Sequence, residues 1–225
     1  MSDILNISKP RLGAGIYTVP DISLILGLPQ DKVRRWHGTY WNNRMKTEDI
    51  SYSWGSGRQL AMDFYMLIEF FVFYKLREKK ISSQQIITAH QTIAKDIGNP
   101  YPFATTYISS DENKIFYSPD KNKTIIKADP TQQIAIKKII ENYIKKIDFD
   151  STFLAERFWP RGRDKNIVVD PHHQFGQPII KNTNIQAETI YLFYKGGEKK
   201  DFIARLYNID IKSVNDSINF FEKAA

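Results

Sequence analysis

The chain has 225 residues, of which 42% are hydrophobic and 13% aromatic, so it holds enough apolar material for a core and is not a disordered polymer. It contains no cysteine, which excludes disulfides, thiolate zinc sites, iron–sulfur clusters and a cysteine nucleophile together. The 32 Lys and Arg residues outnumber 25 Asp and Glu, and the resulting +7 charge favours a polyanionic partner.

The first ten residues include Asp3 and lack a cationic stretch followed by an apolar one, so no targeting signal is expected. The most apolar run, 62–76, is interrupted by Asp63, Glu69 and Lys75 and falls short of the ~20 apolar residues a bilayer span needs. No membrane partner and a cytoplasmic location are expected.

Thr18 is placed to cap a helix carrying Ile22, Ile25 and Leu26. Gly27-Leu28-Pro29 breaks it, since glycine permits a left-handed turn and proline can only open the next helix. A second helix is predicted at about 30–38, with Lys32, Val33, Arg34, Arg35 and Trp36. Residues 50–54 alternate as a strand, Gly55-Ser56-Gly57 is a turn, and Arg58-Gln59-Leu60 returns as the second strand of a hairpin. The helix predicted at 62–79 is apolar on every face, which suits a core or a dimer interface. Ser82 and Ser83 cap another at 83–97, stopped by Gly98-Asn99-Pro100.

Short β-like runs at 105–108, 114–117 and 124–127 then suggest a small meander. Asp129-Pro130 opens a helix in which Ile136, Ile139, Ile140, Tyr143, Ile144 and Ile147 recur at helical spacing. Residues 148–170 read as a connector containing an apolar strand, Ile167-Val168-Val169. Three helices close the chain, at 186–195, at 198–207, and after an Asp210 cap with Ile211, Val214, Ile218 and Phe221. The expected fold class is mainly α with small β elements, in three units: 1–98, a winged helix–turn–helix with a long core or dimer helix; 99–165, a β-meander plus helix and connector; and 166–225, a three-helix module.

The helix–glycine turn–helix carries the clearest chemistry. A reader of double-stranded DNA needs a short apolar helix to buttress a second one that exposes basic and amide side chains. Val33 and Trp36 would face inward, leaving Gln30, Lys32, Arg34 and Arg35 outward, and Arg58 would sit on the wing tip beside the flanking backbone. Thr18 and Arg44 complete the DNA-facing set. The alternative is an ordinary pair of helices with a solvated basic face.

The run Ile16-Tyr17-Thr18-Val19-Pro20-Asp21-Ile22-Ser23-Leu24-Ile25-Leu26-Gly27-Leu28, with Val33-Arg34-Arg35-Trp36 after it, resembles the MerR-type winged helix–turn–helix. The following helices are in MerR-like order. Tyr101-Pro102-Phe103-Ala104, Ile147-Asp148-Phe149, Val168-Val169-Asp170-Pro171 and Phe175-Gly176-Gln177-Pro178-Ile179-Ile180 resemble bacterial antitoxins that end in a module of unknown function numbered 433. Such proteins are similar to VapB-type antitoxins encoded beside PIN-domain ribonuclease toxins. The resemblance therefore implies a homodimeric antitoxin that binds operator DNA, represses its own operon and neutralises a toxin, without enzymatic activity or cofactor. In two places the chain departs from it. The module commonly reads Gly-Thr-Arg-Ile-Pro where this chain has Asn182-Thr183-Asn184-Ile185-Gln186, so a role needing that guanidinium is lost. MerR-type metal sensors use cysteines, and this chain has none.

Other residue groups admit two readings. The last three helices could form a second DNA reader starting at Lys212 and Ser213, but residues 166–225 hold seven basic and seven acidic residues against eight and five in residues 1–60. A protein-contact or dimerisation role is the favoured expectation there. Arg157, Arg161 and Arg163 around Trp159-Pro160 could plug the carboxylate cluster of a nuclease toxin, contact phosphate, or belong to a solvated linker. Asp170, His172 and His173 lie close in sequence, yet no metal-site spacing supports them, and a surface turn is expected rather than a metal or hydrolytic site. No phosphate-cradling glycine motif is present. A stand-alone regulator whose 101–150 segment senses a small ligand is the second functional expectation.

Overall fold

The computed structural model describes residues 13–46, 50–105, 108–111, 114–117, 126–127 and 145–222. The fold is mainly helical with small antiparallel sheets, as the sequence suggests. β1 (Tyr17–Thr18) leads directly into α1 (Val19–Leu26). Thr18 Oγ1 accepts from the Asp21 amide while the Asp21 carboxylate accepts from the Thr18 amide at 2.7 Å, a reciprocal capping box. Gly27 ends α1 at φ +65, where a side chain would be strained, and Pro29 precedes α2 (Gln30–Trp36).

The second helix does not stop near 38. It continues without a break as a π-helical segment, His37–Met45. Trp41 is fully buried there, its ring 4.5 Å from Phe70 and 5.2 Å from Phe73, while Trp36 and Tyr40 lie 4.8 and 5.1 Å from Phe73. Aromatic pairs of this kind contribute about 0.5–1.5 kcal/mol each beyond their burial. They hold the extension helical past Gly38 and through Asn42-Asn43, which read locally as a stop.

The expected hairpin at 50–60 is reduced to one antiparallel bridge, Trp54 with Ala61. Gly55 and Gly57 both take left-handed angles, and Gly57–Gln59 forms a 3-10 turn, so Arg58 sits in a turn and not in a strand. The strand that follows, β2 (Ala61–Met62), pairs with β1, Tyr17 opposite Met62 and Thr18 opposite Ala61.

Asp63 caps α3 (Phe64–Glu78) by accepting from the Met66 amide at 2.8 Å. Phe64, Met66 to Phe73 and Leu76 are all buried within this one chain. The helix is therefore packed largely into the chain's own core, the first of the two roles its all-round apolarity suits. α4 (Ser83–Ile97) has the expected bounds, with a Ser82–Gln85 capping box at one end and Gly98 at φ +64 at the other.

β3 (Ile108–Asp111), β4 (Lys114–Tyr117) and β5 (Ile126–Lys127) form the meander in the order β3-β4-β5. The helix expected from Asp129-Pro130 lies outside the described residues, apart from Lys145 and Lys146, which form a turn, and its last position, Ile147. That residue belongs to β6 (Ile147–Phe149), which pairs with β7 (Ala155–Phe158). The connector is thus a hairpin, and Phe158 packs against Phe71 of α3 at 4.6 Å.

β8 (Ile167–Val168) and β9 (Ile179–Ile180) open the C-terminal module of α5 (Ala187–Lys195), α6 (Lys200–Tyr207) and α7 (Ile211–Glu222). Asn208 ends α6 at φ +50, and Asp210 caps α7 by accepting from the Ser213 amide at 2.6 Å. A single buried cluster runs from Tyr17 to Phe221, so the module shares its core with the N-terminal half.

Candidate nucleic-acid interface

The α1–α2 pair, the π-helical extension and the Gly55–Gly57 turn place most of the expected DNA-facing residues on one part of the molecule. Val33 and Trp36 are buried, and Gln30, Arg34 and Arg35 are exposed, which is the division read from the sequence. Arg34 Nη1 donates to the Gly57 carbonyl at 3.2 Å, so the helix holds the turn that carries exposed Arg58. His37 Nε2 lies 3.0 Å from Ser53 Oγ, a second tie between the extension and the 50–54 segment, and burial lowers the pKa of that imidazole. A neutral ring suits this buried hydrogen bond.

Thr18 and Arg44 stand apart from that group. The Thr18 hydroxyl donates to Asp21 at 2.6 Å within the capping box, so its structural work is helix initiation. Arg44 Nη1 donates to Gln84 Oε1 at 2.9 Å, and its carbonyl accepts from Gln91 at 3.0 Å, which clasps the extension to α4.

Lys32 lies over the rings of Trp36 and Tyr74, at 4.9 and 5.4 Å. With Arg35 and Arg77 it lines a cleft of about 460 Å³ whose remaining walls include Tyr40, Tyr74 and Glu78. Three cations and several rings beside α2 suit a phosphate backbone. Arg77 was absent from the residues expected here because 62–79 reads as an apolar helix. The available signal was the basic run Lys75, Arg77, Lys79 and Lys80 at its exposed end.

A buried polar network lies behind this surface. Glu69 and His90 are both inaccessible, with 3.0 Å between carboxylate and Nε2, and the other Glu69 oxygen accepts from the Phe103 amide at 2.8 Å. Asp63 accepts from Tyr101 Oη at 3.0 Å, and burial pushes its carboxyl pKa up to about 6. Lone polar residues on apolar helices gave no sequence signal for this cluster.

The connector arginines are engaged by the fold. Arg161 donates to the Ile25 and Leu24 carbonyls of α1 at 3.1 and 3.4 Å, and its guanidinium lies 4.7 Å from the Phe220 ring of α7. It thereby fills orphan acceptors at the C-terminal end of α1 from a residue 136 positions away. Arg163 pairs with Asp148 and donates to the Lys145 and Ile147 carbonyls. Arg157 Nε lies 3.2 Å from Asp148 Oδ2, which also accepts from Trp159 Nε1 at 3.0 Å. That 3.2 Å contact is an ion pair and not an aligned hydrogen bond, since Arg157 Nε has no hydrogen-bond partner. Arg157 and Arg163 keep an exposed edge along a cleft of about 580 Å³ shared with Lys181 and Asn184, the position where the resembled module has arginine.

The C-terminal module presents a different surface. Lys212 is tied to the Asp164 carbonyl at 2.7 Å, to Asn166 Oδ1 at 3.1 Å and to Asp216 at 3.0 Å, so it is not held free for a phosphate. Leu192, Phe202, Leu206 and Ile211 are instead exposed, Leu192 by 59%. His172 and His173 belong to a hydrogen-bonded turn in which Asp170 accepts from the His172 amide at 2.9 Å and faces His173 Nδ1 at 3.0 Å. Among the described residues, no group of three or more His, Asp or Glu side chains converges on a metal position. No helix among them is long and apolar enough to cross a membrane.

Residues 167–221 match the family model described as a protein of unknown function, DUF433. Over 227 residues, 93% of this chain and 95% of the relative, the sequence is 20% identical to a protein of Mycobacterium tuberculosis (strain ATCC 25618 / H37Rv) designated antitoxin VapB45. The fold is similar to the X-ray crystal structure of Rv2018 from Mycobacterium tuberculosis, with a TM-score of 0.65, 16% identity, and coverage of 94% of this chain and 99% of that one. At that identity the structural likeness is one of fold.

Proposed function

We propose that this chain is a DNA-binding antitoxin that represses its own operon and neutralises a ribonuclease toxin. The near end-to-end similarity to a protein designated an antitoxin carries the reading. In it, α2 is the reading helix, with Gln30, Lys32, Arg34 and Arg35 toward the operator and Arg58 and Arg77 toward the flanking phosphates. The neutral C-terminal module contacts protein, and its exposed Leu192, Phe202 and Leu206 are better placed to hold a PIN-type toxin or a second copy than the internally bonded Arg161. Arg157 and Arg163 contribute their exposed edges at most.

Two experiments test this together. Co-expression with the product of the neighbouring gene should yield a stable complex on purification, and the complex or free chain should retard the promoter fragment upstream of its own gene. Failure to co-purify with any neighbouring nuclease would remove the antitoxin reading. Retardation without a toxin would then favour a stand-alone regulator responding to a small ligand.

A further inference from the structure

The face of the extension opposite the α2 cations bounds a second pocket, of about 410 Å³, against α4. This is within the ~300–1,000 Å³ range of small-molecule sites. Its walls are apolar: Met45 at the end of the π-helical segment, Ile50 and Tyr52 in the segment after it, and Ala94 on α4. Tyr52 is buried, with its hydroxyl donating to the Pro100 carbonyl at 3.1 Å. Buried His90 also lines the pocket, its Nε2 3.0 Å from the Glu69 carboxylate without an aligned hydrogen bond. Three cations, Arg44, Lys46 and Lys95, stand among the lining residues, and no carboxylate does among the described residues.

We infer that this pocket binds a small amphipathic anion, an apolar body of single-ring or medium-chain size bearing one carboxylate. The apolar walls would desolvate the body, and cations from both sides of the mouth would meet the charged end. A cationic ligand would face three like charges, with no compensating acid among the described lining residues. The wall is also preorganised, because Arg44 is clasped to Gln84 and Gln91 before any ligand arrives. The occupant would grip the end of the same unbroken helix that carries Arg34 and Arg35 at its start. A ligand effect on operator affinity follows, and that consequence alone rests on the DNA-binding reading.

The test titrates the full chain by calorimetry with sodium octanoate, with 1-octanol as the uncharged arm and octylammonium as the cationic arm. Octanoate should bind saturably, one per chain and about tenfold or more tighter than either analogue. Ala94→Trp, which fills the pocket, and the pair Lys46→Glu with Lys95→Glu should each weaken it by about tenfold, with melting curves confirming folded variants. Leu192→Ser, on the other apolar surface, should leave it unchanged. No saturable octanoate heat, equal binding of octanol, or insensitivity to Ala94→Trp would overturn the site. A gel shift with and without octanoate reads the coupling separately. A chain that binds octanoate but never retards its promoter would leave the pocket standing and sink the DNA-binding reading instead.

Discussion

The N-terminal half and the C-terminal module share one core but show solvent opposite chemistries. In the first, the large apolar side chains of the described residues are buried or half-buried except Ile16, and α2, the turn at 55–59 and the end of α3 leave Arg35, Arg58 and Arg77 at the surface. In the second, the key charges are paired inwardly, as with Lys212 and Asp216, while Leu192, Phe202, Leu206 and Ile211 stay exposed. Net charge alone would have spread the +7 over both. The contrast instead suggests two partners of different kinds, a polyanion at one end and a protein at the other. Arg161 bolts these regions together, holding α1 carbonyls with the N–H edge of its guanidinium while its central carbon lies 4.7 Å from the Phe220 ring.

Breaking that bolt should have the largest effect on stability. Arg161→Ala removes two charge-assisted hydrogen bonds and a cation–π contact, and urea unfolding should show a loss of about 2–4 kcal/mol. Arg161→Lys should recover less than half, because an ammonium cannot span two carbonyls while lying flat on a ring. Full stability in Arg161→Ala would mean that the two regions dock without it.

Asp63 sharpens the comparison from the N-terminal side. Its folded pKa of about 6 lies above the ordinary 3.8, so the folded chain binds the extra proton between those values. Its contribution to stability is therefore greatest below pH 4, falls as pH rises through that window, and is fully lost above pH 6. Asp63→Asn keeps a competent helix cap without the charge. The unfolding free energy of the wild type relative to this variant should fall by about 2.4 kcal/mol from pH 4 to pH 7, most of the value of a two-unit shift. A constant difference across that range would show that Asp63 titrates normally.

The smallest stability effect is expected at the exposed apolar surface. Leu192→Asp with Leu206→Asp should change the melting free energy by about 0.5 kcal/mol or less, since neither side chain belongs to the core. The same variant should lose its protein partner in a pull-down. A large destabilisation, or unchanged capture, would remove the functional meaning given to that surface.

What the sequence disclosed was local. The bounds of α4 were readable because Ser82, Gln85 and Gly98 act within one turn of the helix ends. The inward positions of α2 were readable from the placement of Val33 and Trp36. What it hid was tertiary. Gly38 and Asn42-Asn43 signal a stop, yet Trp41 packing on Phe70 carries the helix to Met45. The 50–60 hairpin shrank because the strand partner of Ala61–Met62 is Tyr17–Thr18, far upstream. Among the candidate site residues, Gln30, Arg34, Arg35 and Arg58 are exposed together, while the anchoring of Arg161 to α1 was hidden because its acceptor is 136 residues away. Arg77 and the apolar pocket beside α4 arise only when separate elements pack.

The central claim is that the polyanion binds at α2 and not at the C-terminal module. The most direct test measures promoter-fragment affinity against salt concentration for the wild type, for Arg34→Ala with Arg35→Ala, and for Lys199→Ala with Lys200→Ala. The account predicts a loss of about 100-fold and a shallower salt slope in the first pair, since each arginine is worth about 1–3 kcal/mol at a DNA contact. It predicts wild-type affinity and slope in the second pair. Undiminished binding without Arg34 and Arg35, or a loss confined to the Lys199 and Lys200 variant, would contradict it.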